Sequence, residues 1–244
     1  MISPAQSHKE PHPHQPTRRF RPGVLRFSAA QFLITLVLML VGYPFVMDLK
    51  YGDVYEAFFM TTTLTMAVLA VGHRRRTLVI ATVLLMPALA GKWLNHFSPD
   101  KVPAPWYLAA TILCLAFVVI QLFRYILRAP DVDSEVLCAA VGTYLMLGLL
   151  WAFAYKFVNH LAPDSFIYTS GPASGHSMKG FTAIYYSFCT LSTVGYGDIV
   201  PGTNVVRMLA SVESITGVFY GTILVARLVA IFSNRRPAAG GTLY

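Results

Sequence analysis

The stretch that most restricts this chain is Thr193-Val194-Gly195-Tyr196-Gly197-Asp198, because of what stands on either side of it. An apolar, aromatic run over 181–192 leads into the hexapeptide, and a long apolar run over 205–232 follows it. The first run is too short to cross a bilayer and the second is long enough. A half-span helix, a glycine-bearing loop and a spanning helix are expected, with the loop held at membrane depth. Irregular backbone at that depth must be enclosed by protein or face a water-filled cavity. Gly195 and Gly197 alternate and accept backbone angles that other residues avoid, so successive carbonyls can turn toward a common axis. Several copies of such a loop would stack rings of oxygens able to replace the water shell of a cation.

The rest of the chain agrees with a membrane setting. Only 12% of residues are charged and 55% are hydrophobic, and the apolar residues gather in runs of about twenty. These place spanning helices over 27–47, 54–71, 77–94, 106–127, 135–158 and 204–232, with a half-span helix over 180–192. The fold class expected is an all-α membrane protein of six transmembrane helices plus this short helix and its loop. The second helix carries Thr61, Thr62, Thr63 and Thr65, whose hydroxyls can bond back to their own helix. The net charge of +8 does not point to nucleic acid, since the basic residues alternate between loops. Arg18, Arg19, Arg21, Arg26, Arg74, Arg75, Arg76, Arg124, Arg128, Arg235 and Arg236 fall on one side, with Lys50, Lys92, Lys101, Lys156, Lys179 and Arg207 on the other. That bias puts both termini in the cytoplasm of a cell-membrane protein and opens the loop outward.

Four regions are expected: an arm over 1–26, a four-helix domain over 27–130, a pore domain over 131–234 and a tail over 235–244. The arm is rich in Pro, His and Gln without periodicity, which reads as disorder, and it lacks the features of a signal peptide. Residues 233–244 are too few for a nucleotide-binding or calcium-sensing domain. Cys114, Cys138 and Cys189 each lie within apolar runs and form neither a disulfide framework nor a metal motif. No nucleophile–base pair, metal cluster or phosphate loop suggests an enzyme, and no cofactor is expected.

All six residues of the hexapeptide match the selectivity filter of potassium channels, and the resemblance extends over about 182–229. It implies a tetrameric pore in which each chain of a homotetramer supplies one loop. By resemblance the carbonyls of Thr193, Val194, Gly195 and Tyr196, together with the Thr193 hydroxyl, coordinate K+, and Gly197 completes the filter. The permeant ion is thus K+, and the other partner is membrane lipid. The family's aromatic pair corresponds to Tyr185 and Tyr186, which by resemblance bond around Asp198 and Tyr196. Ser192 stands where threonine is more usual, and Cys189 where some members carry a carboxylate. Gly217 matches the family's hinge glycine, and Gly221 follows one turn later; a gating bend and close helix packing both remain open for each. Glu213 lies inside the last apolar run, where a carboxyl group does not face lipid. A brace to the half-span helix or to a neighbouring subunit is favoured over direct ion binding.

Six helices with a pore loop between the last two resemble the voltage-gated layout, which predicts regularly spaced arginines on the fourth helix. Here 106–123 holds none, and only Arg124 and Arg128 stand at its end, so strong voltage gating is not expected. Passive K+ conduction is the leading expectation. A coupled K+ transporter and a non-conducting membrane sensor are the alternatives.

Overall fold

Apolar segments in a bilayer satisfy their backbone groups internally, and this chain does so with helices. The computed structural model describes residues 29–47, 52–71, 75–97, 103–131, 133–169 and 177–234. The helices are α1 (Ala29–Met47), α2 (Gly52–Val71), α3 (Arg75–Phe97), α4 (Ala104–Arg128), α5 (Ser134–Leu161), α6 (Gly180–Leu191) and α7 (Asn204–Asn234). A 3-10 turn (Pro163–Ser165) and two short strands, β1 (Phe166–Tyr168) and β2 (Ile199–Pro201), complete the described elements. The expected arm and tail lie outside the described residues, as do residues 170–176 between α5 and α6.

Among the described residues, five helices are long and apolar enough to cross a membrane: α1, α3, α4, α5 and α7. The sixth expected span, over 54–71, forms a helix, but its apolar stretch covers only Ala57–Ala70. The threonine cluster lowers its hydropathy while sparing its backbone. Thr61, Thr62 and Thr65 donate to the carbonyls of Ala57, Phe58 and Thr61 at 2.6–2.9 Å, and Thr63 donates to the Met39 sulfur on α1. The indole N–H of Trp93 on α3 reaches the Thr61 hydroxyl at 3.2 Å, so α2 is tied to both neighbours.

The central element is α5. It packs against α1, α4, α6 and α7, and 61% of its membrane-length segment is buried against 33% or less for the other spans. Asp133 caps its start, accepting from the Val136 amide at 2.9 Å. Gly148 on α5 lets the Phe188 ring of α6 come within contact, since a Cβ there would collide with that ring. The shared core joins Phe32, Leu36 and Met39 of α1 to Leu115 of α4 and to Met146 and Leu149 of α5.

The two strands pair antiparallel with Phe166 opposite Pro201, Ile167 opposite Val200 and Tyr168 opposite Ile199. The ladder joins the segment after α5 to the segment after the hexapeptide. Strands of three residues carry too little pattern to stand out from loop.

Candidate ion pathway and its supports

The hexapeptide emerges from the carboxyl end of α6, where a helix leaves carbonyls without intrahelical partners. The loop returns to use them. The amide of Thr193 donates to the Thr190 carbonyl at 3.0 Å, and those of Val194 and Gly195 donate to the Cys189 carbonyl at 2.9 and 3.3 Å. Thr193, Gly195 and Gly197 all have positive φ, of 60°, 55° and 79°. Alternate residues of one short segment thus occupy the left-handed region, which costs a non-glycine residue such as Thr193 roughly 1–2 kcal/mol. Such an outlier persists only where its surroundings impose it. The side chains of Val194 and Tyr196 and the backbone around them are exposed, with Tyr196 at 72%. The hexapeptide thus lies uncovered by its own chain.

Asp198 closes the hexapeptide. Its carboxylate accepts from the Tyr185 hydroxyl at 2.8 Å. The Tyr185 ring lies parallel to that of Tyr196, with centroids 6.2 Å apart and planes 2° from parallel. Tyr185 therefore meets both ends of its expected contact within one chain. Tyr186 does not: it reaches neither Asp198 nor Tyr196 by any described contact. Its ring packs edge-on against Tyr155 of α5 and Phe166 of β1, with centroids 4.9 and 5.3 Å away. Consecutive helical residues point about 100° apart, so neighbours on α6 cannot share one target.

Glu213 is fully buried. It accepts from the Tyr155 hydroxyl of α5 at 2.5 Å, and Ser187 of α6 approaches its other oxygen at 2.6 Å. The Ser187 oxygen is also 2.7 Å from the Gly148 carbonyl of α5. One carboxyl group thus joins α5, α6 and α7 within a single chain. Next to it, Ser214 donates to the Thr190 carbonyl at 3.0 Å. Tyr155 and Ser187 were not singled out from sequence. Tyr155 lies 58 positions from Glu213 in an ordinary apolar run, and no spacing relates the two.

The two glycines of α7 differ. A Cβ on Gly217 would run into the Leu191 carbonyl at the end of α6, whereas Gly221 has nothing near it. Packing within the chain therefore requires Gly217 and makes no demand on Gly221. Beyond Gly221, the Arg227 guanidinium donates to the carbonyls of Leu127 and Ala129, where α4 ends. Leu224 packs there on a small cluster of Ala29, Ile126, Val136, Ala139 and Ala140.

Residues 142–234 match the family model described as "Ion channel". The chain is 48% identical over 48 residues to Two-pore potassium channel 4 of Arabidopsis thaliana, covering 20% of this chain and 17% of that protein. It is 29% identical over 94 residues to a voltage-gated potassium channel of Aeropyrum pernix, covering 38% of this chain and 28% of that one. The alignments thus span well under a third of these relatives' lengths. No solved structure matches.

Proposed function

We propose that this chain is a member of the potassium channel family and a K+-selective channel that conducts passively as a homotetramer. The observation that carries the reading is the alternation of positive φ at Thr193, Gly195 and Gly197, on a loop anchored to the end of a half-span helix. Residues of alternating backbone hand direct successive carbonyls to one side. The carbonyls of Thr193, Val194, Gly195 and Tyr196 and the Thr193 hydroxyl then serve as K+ ligands. The carboxyl end of α6 adds partial negative charge near the ion. Fourfold assembly covers the exposed filter and supplies the remaining oxygens of each ring.

In this reading Tyr185 and Asp198 hold the outer filter, and Glu213 fixes the upper half of α7 to α5 and α6. Gly221, free of packing demands, is the pivot of an inner-mouth bend, and Gly217 is a packing contact. The region 131–234 is the pore domain. All six spans cross the membrane, with both termini in the cytoplasm, and α4 bears no charges placed to sense voltage.

The test is ion flux through the full chain in liposomes, comparing K+ and Na+ gradients, with barium as blocker and Gly195→Ala as control. Barium-blocked K+ flux that the mutant loses, while still assembling, is the expected result. Flux that needs a second ion or proton gradient would favour coupled transport. Absence of flux across pH and voltage would favour the sensor reading.

A further inference from the structure

The outer end of the hexapeptide is held from two sides. From within, Tyr185 bonds the Asp198 carboxylate. From without, a residue with no assigned role does more. The Thr169 amide donates to the Asp198 carbonyl at 2.8 Å. Its hydroxyl lies 2.8 Å from the Gly197 carbonyl and 3.1 Å from that of Asp198. Thr169 directly follows β1, and Asp198 directly precedes β2, so the ladder delivers both residues to the same place. The far end of the ladder is fixed as well. The Gly202 amide donates to the Ser165 carbonyl at 2.8 Å, and a Cβ on Gly202 would press on the carbonyls of Asp164 and Ser165. Arg207 on the first turn of α7 donates to the Pro201 carbonyl at 3.3 Å.

A carbonyl that accepts from its own chain is turned toward that donor. Gly197 has φ of 79° and no side chain to restrain it, so nothing intrinsic to the residue selects this direction. We propose that Thr169 is a positioning residue that sets the outer limit of the ion path, its hydroxyl drawing the Gly197 carbonyl out of the stack of K+ ligands so that Tyr196 supplies the outermost ring. This deepens the proposed conduction and rests on it. The β1–β2 ladder then acts as an external strap on the filter mouth. Serine at 169 preserves this action, whereas valine, of the same shape without the hydroxyl, removes it. The backbone bond from residue 169 survives either change, so the comparison isolates the hydroxyl.

The experiment uses the full chain in two ways. Thermal unfolding in detergent is measured against rising KCl with NaCl held as the balancing salt, which reads K+ affinity through ligand-linked stabilisation. Flux in liposomes is measured in parallel against external K+ and barium. For Thr169→Val we expect K+ affinity and barium block to change by about three- to tenfold, the range spanned by one net hydrogen bond. Thr169→Ser is expected to match the wild type. If the valine variant does not assemble, Thr169→Ala is read against Thr169→Ser in its place. Unchanged K+ dependence in the variant lacking the hydroxyl would overturn the proposal, as would an equal loss in Thr169→Ser. A wild type with neither K+-linked stabilisation nor flux would instead overturn the conduction reading, and the role of Thr169 with it.

Discussion

Replacing Glu213 by alanine removes the acceptor that joins α5, α6 and α7, and the contacts allow the cost to be worked out. Tyr155 is fully buried, and Glu213 is the acceptor its hydroxyl uses. Orphaning a buried donor costs about 1–3 kcal/mol. The lost methylene adds about 0.8 kcal/mol of burial. Ser187 keeps the Gly148 carbonyl, so it contributes little. The sum is about 2–4 kcal/mol, which for a chain of this size lowers the melting temperature by roughly 5–15 °C. Glu213→Gln retains the volume and a carbonyl acceptor, and is expected to cost only about 1 kcal/mol. Thermal unfolding of the purified protein is the assay, with Ser211→Ala as control. That hydroxyl is exposed and bonds back along α7 to the Arg207 carbonyl, so its loss stays within about 0.5 kcal/mol. The decisive comparison adds Tyr155→Phe. In the Glu213→Ala background this change removes the orphaned hydroxyl and should cost nothing further or restore stability. Simple additivity of the two losses, or a Glu213→Ala protein melting within about 2 °C of the wild type, would refute the reasoning.

Other expectations concern the hexapeptide and the helices around it. Gly217→Ala forces a methyl onto the Leu191 carbonyl and should destabilise by about 1–3 kcal/mol. Gly221→Ala meets no described atom of its own chain and should leave stability unchanged or raised by up to about 1 kcal/mol, while lowering K+ flux if the bend is needed. Measured together by unfolding and flux, the pair separates packing from flexure, and equal effects on stability would contradict the difference in their surroundings. Tyr185→Phe deletes the bond to the Asp198 carboxylate but keeps the ring against Tyr196. It should weaken K+-linked stabilisation in unfolding assays by about tenfold, the scale of one bond to a charged acceptor.

How much was legible beforehand depends on the range of the interaction that decides each feature. Five of the six expected spans followed from composition, because a bilayer requires continuous apolar helix. The α6 helix was expected over 180–192 and is found over Gly180–Leu191. The glycine alternation of the hexapeptide was visible too, because φ is a local property, and Thr193 joins it. The weaker apolar character of α2 is equally a matter of its own threonines. The sequence therefore determined the helices and the placement of the hexapeptide among them. Tertiary structure decided which side chains meet. Tyr185 and Tyr186 are neighbours of like chemistry, yet one faces Asp198 and the other the α5 surface, because helical rotation and the packing of α5 separate them. Gly217 and Gly221 look alike in sequence, and only the approach of α6 distinguishes them. Tyr155 finds Glu213, and Thr169 finds Gly197, across 58 and 28 positions of chain. Contacts of that separation arise from the assembly of whole helices and strands, which no local spacing records.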